Sequence, residues 1–302
     1  MSKETMKKAY RVADELLKER LRQTAPDAAE ELERIESADV IVTRGQYDHI
    51  EDVFKLGNTP HTLVSPHQLN RAALRPDQIV FVNCPGNVPA RGLRKLAGFV
   101  AEGGFLFTTD WALKHVLEPA FPGYVEFNQK PTKDEVVRVE VLDRDDPFLA
   151  SILGPEDDPQ WWLESSSYPI RILAADKVDV LVTSKELREL HGESPVFLTF
   201  AHGEGRVYHM ISHFYLQRVE TRTRRHRRTS ADYLLEKGIS EEAMESFAAL
   251  GLSDVNLGQV EAAYTSRGML ARVLLERMRR KKRAAVDAAP GDSPKTTPEA
   301  EA

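Results

Sequence analysis

Along residues 3–21, Met6, Tyr10, Ala13, Leu17 and Leu21 recur every three or four positions, which places them on one face of an amphipathic helix. A turn at Thr24, Ala25 and Pro26 leads into a shorter acidic helix over residues 28–36. From Asp39 the period changes. Short continuous apolar runs at 39–43, 61–64, 78–82 and 104–108 alternate with helical stretches over 47–55, 66–73 and 89–101. Continuous runs mark strands buried on both faces, so the pattern predicts a parallel sheet covered by helices on either side. After Gly123, residues 135–142 alternate like a strand with one exposed face and are expected at a sheet edge, while 143–147 and 154–159 are expected as acidic turns. Further strands are predicted at 168–173, 178–183, 196–200 and 206–211, the last two joined by a hairpin turn at His202-Gly203-Glu204-Gly205. Helices return beyond Ser230: Ser240 is expected to cap one that carries Glu241 and Glu242 in its first turn, and a last one contains Leu270, Val273 and Leu274. The implied organisation is a helical extension (1–36), an α/β domain (37–220), a second helical extension (221–283) and a tail (284–302) too poor in apolar residues to fold.

Composition narrows the function classes. The chain of 302 residues is 41% hydrophobic and 29% charged, without a run of about eighteen apolar residues, so no membrane span is expected. The charged start, Met1-Ser-Lys-Glu-Thr-Met-Lys-Lys, is unlike a secretory signal, and a cytoplasmic location is expected. Cys84 is the single cysteine, which excludes an intramolecular disulfide and a cysteine-rich zinc cluster. A formal charge of -6 gives no general attraction to nucleic acid. Two basic runs, 218–228 and 277–283, complicate that statement, but the first lacks interleaved aromatics and the second closes a helix, so no nucleic-acid partner is expected. Either run could instead meet the acidic turns of a second copy, giving a homodimer.

Two segments carry a family resemblance: Val80-Phe-Val-Asn-Cys-Pro-Gly86 followed by Phe99-Val-Ala-Glu-Gly-Gly-Phe-Leu-Phe-Thr-Thr-Asp-Trp-Ala112, and Gly203-Glu-Gly-Arg-Val-Tyr-His-Met-Ile-Ser-His213. In order and spacing they resemble the class I glutamine amidotransferase-like superfamily, nearest to its trehalose-utilisation (ThuA-like) branch. The resemblance covers a little over half of the chain and implies a flavodoxin-like three-layer parallel sheet with added helices at both ends. It maps a first polar turn to Asn83, Cys84, Pro85 and Gly86, a strand end to Thr109, Asp110 and Trp111, and a late histidine to His213. A glutaminase of this superfamily attacks with a cysteine at the sharp strand-to-helix turn. Here that position falls at 109–111 and holds no cysteine, while Cys84 lies one strand earlier, followed by Pro85, which has no N–H to offer an oxyanion. Glutaminase activity is therefore not expected, and Cys84 reads as a partly buried thiol acting as a small apolar residue rather than as a nucleophile.

What remains is polar chemistry at strand carboxyl ends, where open α/β sheets place ligands. Asn83, Asp110 and His213 are expected to converge there, with Asp110 either orienting His213 for acid–base work or capping the helix that begins at Trp111. The segment 161–169 packs two tryptophans, a carboxylate and three serine hydroxyls together without strand or helix period, so Trp162, Glu164 and Tyr168 are candidate pocket residues; pinning of a loop by buried indoles is the alternative. Tyr47, Asp48 and His49 follow the first strand and are expected at the same crevice, helix capping being the other role for Asp48. The candidate catalytic set is thus Asp110, His213 and Glu164, and the ligand-binding set Asn83, Cys84, Gly86, Trp111, Trp162, Tyr168 and Tyr47. His209 and His213, four apart, raise a metal site, but without a further ligand motif no metal or other cofactor is expected. Two functions stay open: binding of a small polar ligand, or of a protein partner through an exposed stripe on the terminal helices, which the missing cysteine favours; and a hydrolase or lyase built on Asp110 and His213, which the tryptophan-rich segment favours.

Overall fold

The computed structural model describes residues 3–142, 154 and 156–287. The turn expected at 143–147 lies outside them, as does the tail beyond residue 287. One sheet of eight strands, in the order β2-β1-β3-β4-β12-β11-β10-β7, organises the fold. Its strands are β1 (Val40–Thr43), β2 (Thr62–Val64), β3 (Ile79–Val82), β4 (Phe105–Thr109), β7 (Glu140–Val141), β10 (Val178–Thr183), β11 (Pro195–His202) and β12 (Gly205–Met210). β2, β1, β3, β4 and β12 are parallel neighbours. β11, β10 and β7 continue the sheet antiparallel, which corrects the expectation of a wholly parallel one. The hairpin β11–β12 explains the change of direction: a two-residue turn can only reverse a strand, whereas a parallel neighbour needs a crossover. Gly203 fits that turn because its φ is +59° and a Cβ would meet the Ala101 carbonyl oxygen at 2.5 Å.

Helices cover both faces. The connections β1–α3–β2 and β3–α4–β4, with α3 at Ile50–Leu56 and α4 at Ala90–Ala101, run in opposite directions along the sheet, so right-handed crossovers put α3 and α4 on opposite faces. On the α3 face an aromatic row crosses the strands: Phe81 on β3, Phe107 on β4 and Tyr208 on β12 are register partners, Phe54 of α3 packs edge-on against Phe81, and the Tyr208 hydroxyl donates to Glu276. Glu276 belongs to the helix Leu257–Asp287, here the last helix, which lies against the first helix α1 (Lys3–Thr24). This corrects the exposed stripe expected on α1, since Met6, Tyr10, Ala13, Leu17 and Leu21 are all buried within the chain itself. The shorter helix that follows α1 is α2 (Pro26–Glu33).

Other local expectations change for identifiable reasons. Residues 135–142 divide into β6 (Glu135–Arg138) and β7, and β6 leaves the main sheet to pair with β8 (Gln160–Leu163). The start of 161–169 is therefore strand; Trp161 and Trp162 are both buried, so two-sided burial hid the alternation that would have shown it. The remaining pair is β5 (Val125–Phe127) with β9 (Ile170–Ile172). Only Gln68–Asn70 turns helically within 66–73, and the helix after Ser240 begins at Met244, Ser240 accepting instead from the Ala243 amide in the preceding turn. Several cations of the basic runs meet the chain's own acids: Arg225 reaches Glu236, Asp157 and Glu261, Arg222 reaches Glu186 and Glu220, Arg279 reaches Glu31, and Lys281 reaches Asp39. Among the described residues, no helix is long and apolar enough to cross a membrane.

His209 supplies a pH test of the core. It is fully buried on β12, with Nδ1 2.8 Å from the Thr108 hydroxyl, and burial pushes its pKa down from 6.5 to about 3. The folded chain thus binds fewer protons here than the unfolded one. The stabilisation is complete above pH 6.5 and is lost as the pH falls toward about 3. His209→Gln is expected to flatten this acid limb by up to about 1.4 kcal/mol per pH unit. Urea midpoints at several pH values between those limits check it, and equal slopes in both proteins would discard the assignment.

Candidate functional site

β1, β3, β4 and β12 are parallel and end on the same side, so the segments leaving them meet there: Gly45–Asp48 after β1, Asn83–Gly86 after β3, Asp110 and Trp111 after β4, and Ser212–His213 after β12. Asp110 has a φ of +47°, a left-handed conformation that Asp tolerates better than most side chains. Such an outlier is held only where its surroundings fix it. Here the Asp110 carboxylate accepts from the Tyr168 amide at 2.9 Å and the Ser167 hydroxyl at 3.2 Å, and its own amide bonds the Met210 carbonyl. These bonds, rather than capping of the following helical turn, occupy its side chain.

His213 Nδ1 lies 2.8 Å from Glu164 Oε2, and Nε2 lies 3.6 Å from Asp110 Oδ2. The Cys84 thiol donates to the same Asp110 oxygen at 3.9 Å. One donor atom each of Cys84, Asp110 and His213 thus lies within 4.8 Å of the others, all three side chains being buried. His213 Nε2 faces the sulfur and the carboxylate without a well-formed hydrogen bond to either. Around this group stand Asp48, which accepts from the Thr109 hydroxyl at 2.7 Å, and Asn83, which donates to Glu51 at 2.9 Å while its Oδ1 has no partner. Asp48, like Asp110, is not a helix cap, since its other bond is to the adjacent His49 amide.

The electrostatics follow from burial. Desolvation pushes Asp110 up to about 7 and Cys84 up to about 11, while His213, though burial opposes its charge, is raised well above 6.5 by Asp48, Cys84, Glu164 and Asp110 together. Burial thus favours the neutral acid of Asp110, while the neighbouring groups favour the charged form of His213. Cys84 remains a thiol at neutral pH, a poor state for a nucleophile.

An aromatic cluster borders this buried group. Trp111 stacks on Tyr168 at 5.5 Å and meets Tyr47 edge-on at 5.3 Å, Tyr168 stacks on Phe127 at 3.8 Å, and the Trp111 indole donates to the Ser166 carbonyl. Gly86 closes the turn after Cys84, where its φ of +77° and the proximity of Ala112 and Val116 leave no room for a side chain. Its amide is committed to the Asn83 carbonyl. Trp162 points elsewhere, its indole donating to Asp134 at 2.6 Å, because it leaves β8 on the side away from Trp161, which packs against Phe214. His209 is also outside the cluster. Sequence reasoning passed over Glu51, Ser167 and Ser212; a polar residue bordering a predicted strand end was the only available signal.

The loop that carries His213 is fixed from behind by both ends of the chain. The Tyr10 hydroxyl of α1 donates to the Phe214 carbonyl and accepts from the Leu216 amide, and Ser266 of the last helix also donates to the Phe214 carbonyl. The terminal helices thereby belong to the scaffold of the site.

No protein-family model and no curated protein matches this chain. Among solved structures it is similar to a glutamine amidotransferase from Thermotoga maritima, with TM-score 0.42, 12% identity and coverage of 79% of this chain and 96% of that one. A ThuA-like protein from Bacteroides uniformis gives 0.41, 10%, 59% and 83%. Gan42B, a GH42 β-galactosidase from G. stearothermophilus, gives 0.38, 14%, 70% and 30%, so the chain spans less than a third of that protein's length.

Proposed function

We propose that the chain binds a small polar molecule in the crevice at the carboxyl ends of β1, β3, β4 and β12, and that the group around His213 acts on it in hydrolase- or lyase-type chemistry rather than as a glutaminase. The observation that carries this reading is the concentration of two buried carboxylates, Asp48 and Asp110, and the flanking Glu164 around one buried imidazole. Burying charges costs several kcal/mol per ion, and such groups are retained where their placement serves a site. Glu164 lies 2.8 Å from Nδ1 as an ion-pair neighbour, while Nε2 is aimed at the space between Cys84 and Asp110. Asn83 Oδ1 offers an unused acceptor nearby, and Tyr47, Trp111 and Tyr168 supply the apolar wall that small-molecule sites use. The alternative of a protein partner docked on α1 loses its main support, because the stripe it needs is covered by the chain's own last helix.

A thermal-shift screen of small hydroxy acids, amides, sugars and esters tests the proposal. A binder at about one hundred times its Kd should stabilise the wild type by about 2.7 kcal/mol and Asp110→Asn by much less. Compounds that stabilise both proteins equally would place binding elsewhere and remove the reading.

A further inference from the structure

We propose that Cys84, Asp110 and His213 form a three-ligand site for a divalent transition metal of the zinc class, with a fourth position open to water or to an oxygen of the substrate. The inference rests on the reading of the crevice given above and deepens it, assigning His213 Nε2 to a cation rather than to a proton in transit.

The donors are a thiol sulfur, a carboxylate oxygen and an imidazole nitrogen, the mixture that suits zinc and cobalt and not the hard, oxygen-seeking cations. Spacing agrees as well. Bond lengths of about 2.1 Å to nitrogen and oxygen and about 2.3 Å to sulfur put tetrahedral ligands roughly 3.4 Å (N to O) and 3.6 Å (S to O) apart. The observed separations are 3.6 Å for His213 Nε2 to Asp110 Oδ2 and 3.9 Å for Cys84 Sγ to the same oxygen, and no two of the three donors are further apart than 4.8 Å. A contraction of a few tenths of an ångström on the two measured edges would close the site.

His213 Nε2 points into this space and is buried without a hydrogen-bond partner, an arrangement that costs free energy unless something occupies the position. Part of an outer shell is in place. Glu164 Oε2 stands 2.8 Å from Nδ1 as an ion-pair neighbour, on the side where a carboxylate supports a metal-bound histidine, and the Tyr168 amide and the Ser167 hydroxyl fix Asp110. The pairing of His209 with His213, which the sequence suggested, contributes nothing here, because His209 is bound to Thr108. The ligands come instead from the ends of β3, β4 and the segment after β12, adjacent in the sheet and distant in the chain.

The test uses the full chain without an affinity tag, freed of metal with a chelator and titrated with cobalt(II) chloride. We expect one equivalent to bind, with the intense visible bands of a four-coordinate ion and a thiolate-to-cobalt charge-transfer band in the near ultraviolet, both displaced by zinc. Cys84→Ser should abolish the charge-transfer band, and His213→Gln should weaken binding more than about 100-fold, beyond the range of outer-shell changes, whereas Glu164→Gln should weaken it about 10–100-fold. Absence of the charge-transfer band in the wild type, or its survival in Cys84→Ser, overturns the proposal. If a variant fails to fold, as judged by circular dichroism, the wild type alone decides: zinc must raise its melting temperature, and an unchanged melt counts against the site. The two readings fail separately, since small-molecule binding without cobalt binding leaves only the crevice, and cobalt binding without any small-molecule binder leaves only the metal.

Discussion

Asp14→Ala should destabilise the chain by about 3–5 kcal/mol, because it leaves the Arg267 guanidinium buried without its counter-charge. Asp14 on α1 and Arg267 on the last helix are both over 90% buried and are joined by a hydrogen-bonded ion pair across the seam between the two ends of the chain. The guanidinium lies against Gly57, where a Cβ would meet its Nη2 at 2.3 Å, and with Asp14 it lines a cavity of about 340 Å³ at the seam. Its Nε and Nη1 already lack partners. Arg267→Ala should cost less, roughly half as much, since Asp14 keeps Lys18 at 2.6 Å and that lysine is partly solvated. Urea denaturation of the two single variants and the double variant measures the coupling. Equal losses in the two single variants would mean that Lys18 does not compensate Asp14. A pair worth under about 1 kcal/mol would mean that the seam opens to water.

The second large effect belongs to the sheet. Phe107→Ala should cost about 3–5 kcal/mol and lower the melting temperature by on the order of 10 °C. Phe107 is fully buried and touches four rings: Phe81 at 5.3 Å, Phe197 at 5.7 Å, Tyr208 at 6.1 Å and Phe214 edge-on at 5.0 Å. Removing it opens a cavity between β3, β12 and the segment that carries His213, in a layer too closely packed to collapse without moving several rings. Phe107→Leu should recover roughly half of the loss by restoring part of the volume. Because Phe214 follows His213 directly, Phe107→Ala should also weaken cobalt binding in the folded fraction. Full retention of affinity would show that Tyr10 and Ser266 hold the loop unaided.

These two positions also show where the sequence was readable. The strands at 40–43, 79–82 and 105–109 were visible because strands buried on both faces must be apolar throughout, and Phe81 and Phe107 sit in such runs. The α1 stripe was visible because a helix repeats every 3.6 residues. The partner of that stripe was not, for a periodic face says that something covers it and not what. The same limit applied to the basic runs: the density of arginine was plain, while the pairing of Arg225 with Glu236 and Glu261 needed distant segments brought together.

For the site, the sequence alone determined the chemistry at the strand ends: Asn83, Cys84, Asp110 and His213 each stand where an apolar run stops, and a chain that buries its strands leaves polar residues at their carboxyl ends. Only the tertiary structure decided their relations. Strand order set Cys84, Asp110 and His213 side by side, the two-residue alternation of β8 turned Trp162 away, and the fold brought Glu164 behind the imidazole. Periodicity is a local property that a sequence must display, whereas adjacency across a sheet depends on the order in which strands are laid down, and nothing within a single strand records its neighbour.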